Sequence, residues 1–266
     1  MHLLERIARP VVIAHRGASA HAPENTLAAF RLALEHGADG VELDAKLSAD
    51  GHVMVIHDQT VDRTTSGSGR VRDLTLAQLK KLDAGSHFDS SFAREPVPTL
   101  EEVFVAVGAR TLVNVELTNY ASPTDDLPDK VADLVIKFGL QEHILFSTFH
   151  PLTLLRIRRR LPHVPTALLA LPGRGGRLAR GWLGRLLSPG YLHPYYTDVS
   201  AQTMAGEKRR PRMVNAWTVN GAEEMRHLFQ IGIDGIITDD PRLARRVLDA
   251  GMLDAGMLDT GPLEEK

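Results

Sequence analysis

Short apolar runs recur along the chain, and longer segments of mixed polar and apolar residues separate them. The short runs are typical of strands buried in a parallel sheet, and we interpret most of the longer segments as helices that cover it. The candidate strands are Val11–Ala14, Val41–Ala45, Val53–Ile56, Thr111–Leu117, His143–Phe146, Thr166–Ala170, Tyr195–Val199, Met213–Trp217 and Gly235–Thr238. The main candidate helices are Leu27–His36, Leu76–Leu82, Leu100–Val107, Pro128–Phe138, Pro151–Arg160 and Ala222–Ile231. This repetition predicts an α/β fold, an irregular (β/α)8 TIM barrel.

Two features make the predicted barrel irregular. Nine candidate strands compete for eight places, and residues 47–52 are too few for the crossover of about a dozen residues that joins parallel strands. Either Val53–Ile56 or Tyr195–Val199 is therefore expected not to be a regular barrel strand. Residues 59–98 indicate a small insertion after the third strand segment. We expect one domain over residues 1–250, which includes the insertion, and a flexible C-terminal tail over residues 251–266.

Polar side chains stand at the ends of the candidate strands. Glu42 and Asp44 lie two apart, so a strand directs both carboxylates to one face. Close carboxylates need a basic neighbour, a raised pKa or a bound cation, and a hard ion such as Mg²⁺ or Ca²⁺ suits them best. His57 follows the third strand, and imidazole is suited to proton transfer near neutral pH. The residues that match the barrel rule of reactive groups at strand C-termini are His15, Glu42, Asp44, Glu116 and Trp217.

The composition narrows the classes of function. Lys plus Arg number 31 against 33 Asp plus Glu, a formal charge of −2, so no overall positive charge points to nucleic acid. The chain has no cysteine, so any metal must be held by oxygen and nitrogen atoms. No apolar run approaches the roughly 20 residues that cross a bilayer, and the N-terminus lacks the apolar core of a signal peptide. We expect a cytoplasmic protein that binds no nucleic acid.

A set of motifs follows one order along nearly the whole chain. They are His15-Arg16-Gly17, Ala22-Pro23-Glu24-Asn25-Thr26, Glu42-x-Asp44, His57-Asp58, Asp62-Arg63-Thr64-Thr65, Leu82-Asp83-Ala84-Gly85, Pro98-Thr99-Leu100-Glu101-Glu102, Asn114-Val115-Glu116, Trp217-Thr218-Val219-Asn220 and Gly232-Ile233-Asp234-Gly235-Ile236-Ile237-Thr238-Asp239. Any one of them is a weak signal, but the set is highly specific. The chain resembles a glycerophosphodiester phosphodiesterase.

The resemblance implies a metal-dependent phosphodiesterase that hydrolyses glycerophosphodiesters to sn-glycerol 3-phosphate and an alcohol. The nucleophile is either the substrate's own glycerol hydroxyl, through a cyclic phosphate, or water. The matching positions are Glu42, Asp44 and Glu116 for one divalent cation, Mg²⁺ or Ca²⁺, His15 and His57 for acid–base catalysis, Arg16 for the phosphate and Trp217 for the glycerol side of the pocket.

One position departs from the family's pattern. In many members a lysine aimed at the phosphate follows the third carboxylate by two residues, whereas here that residue is Thr118. A neutral hydroxyl forms a hydrogen bond roughly half as strong as a charge-assisted one. We therefore expect Asn119, Tyr120 or a loop arginine to compensate, and we expect Thr118→Lys to lower KM more than it changes kcat.

Simpler interpretations exist for several of these residues. Most histidines at strand ends are structural, and paired acids can form a solvated strand edge. Trp217 could fill the core, and Arg16 could pair with Glu24 or Glu42. The matching motifs favour the functional interpretation. A catalytically weak phosphoester-binding scaffold is the alternative from another class, and the retained histidines and carboxylates argue against it.

Residues 173–187 interleave arginines with Leu178, Trp182 and Leu186. Such a segment is most simply a solvated face, but it is also typical of weak peripheral contact with a lipid surface. Lipid contact would favour a lysophospholipase D type of reaction on membrane lysophospholipids. We expect a small soluble phosphodiester as the partner first, and the sequence predicts no oligomeric state.

Overall fold

A computed structural model describes residues 1–188, 190–209 and 212–258. Within them the strands are β1 (Val11–Ala14), β2 (Gly40–Leu47), β3 (Val53–Val55), β4 (Leu112–Leu117), β5 (Ile144–Thr148), β6 (Thr166–Ala170), β7 (Tyr191–Pro194), β8 (Met213–Ala216) and β9 (Gly235–Thr238). The sheet order is β1-β9-β8-β7-β6-β5-β4-β2-β3, and β1 also pairs with β2. Eight parallel strands therefore close on themselves, which confirms the predicted TIM barrel.

The ninth strand, β3, lies outside the barrel. It runs antiparallel to β2, with Ala45 opposite Val55, because the short turn between them allows only a hairpin. The expectation that Val53–Ile56 is not a regular barrel strand is confirmed. Just beyond β3, the backbone N–H of Ile56 donates to the carbonyl oxygen of Asp44 at 3.0 Å, which brings His57 to the mouth of the barrel.

The seventh barrel strand is β7, so the prediction of a strand at Tyr195–Val199 is wrong. Residues 196–198 form a 3₁₀ turn, and the strand precedes it. Pro194 made this segment resemble a loop, since proline lacks the N–H that a ladder needs. Here Pro194 is the last residue of β7, and its carbonyl oxygen still accepts a hydrogen bond from the backbone N–H of Trp217 at 3.0 Å.

The helices cover the outside of the barrel. They are α1 (Leu27–Glu35), α2 (Leu76–Leu79), α3 (Leu100–Val103), α4 (Leu127–Phe138), α5 (Pro151–Arg160), α6 (Arg177–Arg180), α7 (Trp182–Leu187), α8 (Ala201–Lys208), α9 (Ala222–Gln230) and α10 (Pro241–Leu258). A π-helical turn, Phe104–Gly108, continues α3. Of the expected tail, residues 251–258 belong to α10, and residues 259–266 lie outside the described residues. In the described part of the chain, no helix combines the length and hydropathy that a transmembrane span requires.

The side chains of each barrel strand alternate between two environments. Outward-facing residues such as Leu43 and Val115 are fully buried under the helices. Inward-facing residues become polar towards the C-terminal ends of the strands, where the mouth lies. The insertion packs around a separate small apolar cluster that includes Met54, Val61 and Leu79.

Candidate active site

Three carboxylates from two neighbouring strands meet inside the barrel mouth. Asp44 on β2 and Glu116 on β4 are directly paired in the sheet register, and Glu42 lies one inward position below Asp44. One oxygen of each carboxylate lies within 4.8 Å of the other two. Glu42 and Asp44 are 2% and 1% exposed, so this cluster is not a solvated strand edge.

The loops after β1 hold two of these carboxylates from one side. The backbone N–H of Arg16 donates to Glu42 at 2.9 Å, and the side-chain amide of Asn25 donates to Asp44 at 2.9 Å. Both donors adopt left-handed backbone conformations, with φ of 55° and 58°. Asparagine tolerates this region, but for arginine it costs about 1–3 kcal/mol, a strain typical of functional sites.

Gly17 permits this loop to approach α1. Its φ is 83°, and a Cβ at this position would lie 2.6 Å from the backbone carbonyl carbon of Ala29. No other residue could stand here without moving the helix.

The carboxylate cluster carries more negative charge than its surroundings neutralise. Burial, followed by repulsion from Asp44 and Glu116, raises the pKa of Glu42 well above its ordinary value. Burial and the charge of Asp44 likewise raise the pKa of Glu116 to about 8. In the described part of the chain, Oε1 of Glu42 is buried without a hydrogen-bond partner. Oxygen donors at these separations fit a hard divalent cation, which would relieve both the repulsion and the missing contact.

His15 projects from the end of β1 into the same mouth. Its Nδ1 lies 2.6 Å from Oδ1 of Asp239, which follows β9, the neighbour of β1 in the sheet. Ser19 and Asn220 donate further hydrogen bonds to Asp239. Although burial alone would raise it, the contact with His15 and these hydrogen bonds hold the pKa of Asp239 below its ordinary value. The ionised carboxylate fixes the proton on Nδ1 and leaves Nε2 of His15 to act on a substrate.

His57, which follows the hairpin partner of β2, repeats this arrangement. Its Nδ1 lies 2.7 Å from Oδ1 of Asp58. Arg63 from the insertion donates to Asp58 at 2.6 Å, and this hydrogen bond is the main reason that the pKa of Asp58 is lowered to about 2. The carboxylate therefore stays ionised at neutral pH, and Nε2 of His57 is available for proton transfer.

A chain of charges connects this histidine to the carboxylate cluster. Arg63 also donates to Glu24 at 2.7 and 2.8 Å, and Glu24 accepts from Arg16 at 2.8 Å. The Nε atom of Arg16 lies 3.3 Å from Asp44. Arg16 therefore does pair with Glu24, as its simpler interpretation held, and it lines the mouth as well.

Thr118, the position of the missing lysine, contacts a lysine from the neighbouring strand. The Nζ atom of Lys46 donates to Oγ1 of Thr118 at 2.8 Å, and Lys46 is only 6% exposed. Two of the three compensating side chains suggested by the sequence, those of Asn119 and Tyr120, have other hydrogen-bond partners. Tyr120 instead donates a short hydrogen bond to Glu116, and Asn119 donates to Asp125 at 2.8 Å.

Trp217 belongs to a row of aromatic rings that forms the wall opposite the charged groups. Its ring centroid lies 5.5 Å from that of Phe149 and 5.3 Å from that of Tyr195, both edge to face. Phe149 in turn contacts Tyr120 at 5.8 Å. The Nε1 atom of Trp217 donates to the backbone oxygen of His193 at 2.8 Å, which fixes the indole ring at the mouth.

These residues enclose one small cavity of about 70 Å³. Its lining includes His15, Arg16, Glu42, His57, Glu116 and Trp217. A larger cleft of about 500 Å³ lies outside the barrel beside β3 and α4. Lysine and acidic side chains in its lining pair with one another, as Lys80 does with Glu102 and Lys137 with Glu101. Size alone therefore does not locate the site.

The structure gives roles to several residues that the sequence did not assign to them. Asp239 and Asp58 orient the two histidines, Arg63 connects Asp58 with Glu24, and Lys46 and Tyr120 contact the carboxylate strands. Asp58 and Asp239 each follow a strand directly, so the rule that predicted His15 could have found them. The period of two that grouped Glu42 with Asp44 also places Lys46 on their face, whereas Arg63 in the insertion carries no such positional signal.

The fold and the site together define a class of protein. Two imidazoles with free Nε2 atoms face a carboxylate cluster that fits a divalent cation, and this combination is suited to hydrolysis by general acid–base catalysis. The chain is thus a TIM-barrel hydrolase.

Comparison with known proteins identifies the family. The family model of the glycerophosphoryl diester phosphodiesterases matches residues 15–243. A glycerophosphodiester phosphodiesterase of Caldanaerobacter subterraneus is 42% identical over 235 residues, which cover 88% of this chain and 95% of that protein. One of Bacillus altitudinis is 32% identical, covering 89% and 97%. The structure of an Oleispira antarctica phosphodiesterase in complex with the product sn-glycerol-3-phosphate is similar with a TM-score of 0.83 and 31% identity, covering 90% and 97%.

The chain therefore belongs to the glycerophosphoryl diester phosphodiesterase family. The resemblance predicted from the motifs is confirmed, and with it the prediction of a phosphoric diester hydrolase. A divalent cation is in keeping with both the family and the carboxylate cluster.

Proposed function

We propose that the protein hydrolyses glycerophosphodiesters to sn-glycerol 3-phosphate and an alcohol. The observation that carries this proposal is the pair of carboxylate-oriented histidines facing the three clustered carboxylates. The sn-glycerol-3-phosphate complex of the similar Oleispira antarctica enzyme supports the choice of product.

Glu42, Asp44 and Glu116 would hold one divalent cation, and Mg²⁺ and Ca²⁺ both suit three carboxylates. A cation bound there supplies Lewis-acid stabilisation of the charge on the phosphodiester. One histidine accepts the proton of the attacking oxygen at Nε2 as the new P–O bond forms. The other histidine donates its Nε2 proton to the departing alcohol oxygen as the old P–O bond breaks. The attacking oxygen is either water, which gives glycerol 3-phosphate directly, or the substrate's glycerol hydroxyl. In the second case a cyclic phosphate forms, and a water molecule then attacks the phosphorus and breaks one ring P–O bond to give glycerol 3-phosphate.

The remaining groups of the mouth would bind the substrate. Arg16 is a guanidinium beside the cluster and would contact the phosphate, although Glu24 and Asp44 share its charge. Trp217 and its aromatic neighbours offer an apolar wall for the glycerol carbons. Thr118, two residues beyond Glu116, would lie on the side of the phosphate.

Turnover of glycerophosphocholine with and without EDTA tests this function. We expect release of glycerol 3-phosphate that stops on chelation and returns with Mg²⁺ or Ca²⁺, and the more effective ion identifies the cofactor. Glu42→Ala, Asp44→Ala and Glu116→Ala should each abolish turnover and also weaken cation binding in calorimetry, which reports on the cluster independently of activity. Undiminished turnover in chelator would exclude the metal assignment, and no turnover under any condition would favour the scaffold alternative.

A second candidate substrate is a lysophospholipid. Leu178, Trp182 and Leu186 on α6 and α7 are 73%, 78% and 69% exposed, with exposed Arg174 and Arg177 nearby in the chain. Beneath these helices lies an apolar cavity of about 160 Å³, which shares Phe149 and Leu169 with the active-site cavity. We propose that residues 173–187 make weak contact with a lipid surface, where an acyl chain could enter this cavity.

The expected cytoplasmic location also stays a prediction. Fractionation of the native host, with separation of cytoplasmic, membrane and external material, tests it. Recovery of most of the protein outside the cytoplasmic fraction would contradict it.

A further inference from the structure

Lys46 is a buried cation to which the reaction described above assigns no role. It follows Asp44 by two residues on β2, so Glu42, Asp44 and Lys46 all face the barrel interior. Thr118 follows Glu116 by two residues, directly after the end of β4, and its backbone N–H donates to the carbonyl oxygen of Ala45 at 3.3 Å. Its side chain is 2% exposed. Lys46 and Thr118 therefore form the layer directly above Asp44 and Glu116, on the side from which a substrate enters.

The contacts of Lys46 are neutral oxygens. Its Nζ atom donates to Oγ1 of Thr118 at 2.8 Å and to the backbone oxygen of Thr118 at 3.2 Å. The Thr118 hydroxyl donates its own proton to the backbone oxygen of Ala45 at 2.7 Å, so a lone pair faces the ammonium. Among the residues that the structure describes, no carboxylate lies within 4.0 Å of Nζ. An ammonium has three N–H donors, and these contacts use two of them.

Such a placement does not favour folding. Burial lowers the pKa of Lys46, although the charges of Asp44, Glu116 and Asp58 oppose this effect. A buried ammonium that no carboxylate contacts directly is unfavourable, and a methionine would fill the same space without that penalty. The charge does fit the site, since three ionised carboxylates exceed the charge of a divalent cation by one negative unit, and Glu24 shares the charge of Arg16, the other cation beside the cluster. An anionic phosphodiester approaching from above would meet repulsion unless a further cation stood in that layer.

We propose that Lys46 binds the phosphate of the substrate and that Thr118 anchors its ammonium. The cation that many family members are expected to carry at position 118 is thus supplied from position 46 on the neighbouring strand. This inference rests on the phosphodiesterase function proposed above. The sequence led us to expect that Thr118→Lys lowers KM. With Lys46 in place we expect the opposite, because a second ammonium would occupy the space of the first and repel it.

The test compares two kinds of binding to the same variant. Lys46→Met should weaken binding of sn-glycerol 3-phosphate to the Mg²⁺-loaded protein by roughly ten- to hundredfold and raise KM similarly, because a charge-assisted hydrogen bond is lost. Its kcat should change less. Affinity for Mg²⁺ alone should be unchanged or higher, because a like charge leaves the cluster. Lys46→Arg, which keeps the charge, should retain most of the binding.

A swap of the two residues adds a second check. Thr118→Lys alone should raise KM, whereas Lys46→Thr combined with Thr118→Lys should restore KM towards that of the unmodified protein. The proposal is overturned if Lys46→Met leaves phosphate binding and KM unchanged. It is also overturned if this variant loses phosphate and Mg²⁺ binding together with its thermal transition, since Lys46 would then be structural. Failure of the proposed function would show itself differently, as no turnover by the unmodified protein.

Discussion

At the scale of single residues, the site depends on which nitrogen of each histidine carries a proton. Asp239 and Asp58 both contact Nδ1 of their histidine, so both rings present Nε2 to the substrate. The two carboxylates differ in their other partners. Asp239 accepts from neutral donors, whereas Asp58 is held by the guanidinium of Arg63.

This difference leads to a prediction about the acid and the base. Asp239→Asn and Asp58→Asn should each lower kcat by about tenfold or more, up to the 10²- to 10⁴-fold that a positioned acid or base contributes. We expect His57 to be the base and His15 the acid. A diester with a nitrophenol leaving group should then rescue Asp239→Asn but not Asp58→Asn. Equal rescue of both variants would contradict this division of roles.

A second prediction concerns Tyr120. Its hydroxyl donates to Glu116, and that hydrogen bond opposes the rise in the pKa of Glu116. Tyr120→Phe should raise the pKa further and weaken Mg²⁺ binding several-fold at pH 7, as calorimetry can measure. The deficit should shrink as the pH rises above the pKa of Glu116, because the carboxylate is then ionised in both proteins. Tyr195→Phe, in the same aromatic row, is the matched control. A pH-independent deficit would mean that Tyr120 acts through packing.

At the scale of secondary-structure elements, β2 and its hairpin partner β3 supply most of the charged groups. The alternation of β2 places Glu42, Asp44 and Lys46 on one face, and the return strand delivers His57 beside Asp44. The parallel neighbour β4 adds Glu116 in register with Asp44, and Thr118 follows directly after β4. The opposite half of the barrel supplies the aromatic wall, so the mouth has a charged side and an apolar side.

The prediction at this scale concerns helices α6 and α7, which we propose contact a lipid surface. Leu178→Ser with Trp182→Ser should reduce binding to phosphatidylcholine vesicles and hydrolysis of micellar lysophosphatidylcholine several-fold, with glycerophosphocholine hydrolysis unchanged. The matched control is Leu152→Ser with Leu155→Ser on α5, which removes exposed leucines outside residues 173–187. Equal losses on the soluble and the micellar substrate would mean that α6 and α7 shape the pocket. Point substitutions are preferable to a deletion, because Arg180 in this segment contacts Asp198 at 2.8 Å.

At the scale of the whole molecule, the closed barrel buries the carboxylates and so couples protonation, cation binding and stability. Glu116 binds its proton more tightly in the folded protein, with a pKa of about 8, than in the unfolded chain, where it is near 4.5. Between these values the folded state holds more protons, so its stability falls as the pH rises. A bound cation removes this penalty, since it replaces the proton.

We therefore predict that the contribution of Glu116 to thermal stability changes with pH in opposite directions with and without bound metal. In EDTA, the melting temperature of the unmodified protein relative to Glu116→Gln should fall between about pH 5 and pH 8. Comparison with Glu116→Gln removes the contributions that other titrating groups make to the pH dependence of stability. One such group is His193, whose pKa is lowered to about 3 by burial and which stabilises the protein increasingly as the pH rises. In saturating Mg²⁺, the stabilisation by metal should grow over the same range. A relative melting temperature independent of pH would contradict the raised pKa.

Much of this molecule could be read from local patterns. The apolar runs predicted β1, β6 and β9 with their observed bounds, and the period of two predicted that Glu42 and Asp44 share a face. Strand ends and motifs pointed to His15, His57, Glu116, Arg16 and Trp217. These features depend on residues close in sequence, where backbone geometry alone fixes the direction of a side chain.

Only the tertiary structure decided which residues became partners. Asp239 orients His15 across 224 residues, Lys46 reaches Thr118 across 72, and Arg63 reaches Glu24 across 39. The sequence also predicted the seventh strand at the wrong residues. A proline can end a strand when the neighbouring strand needs only its carbonyl oxygen, and that need is visible only in the sheet. In a parallel barrel each strand's neighbours are remote in sequence, so the sheet register and the path of the insertion set these contacts. The sequence alone therefore determined the fold and the main reactive groups, and the closed barrel determined how their charges are paired.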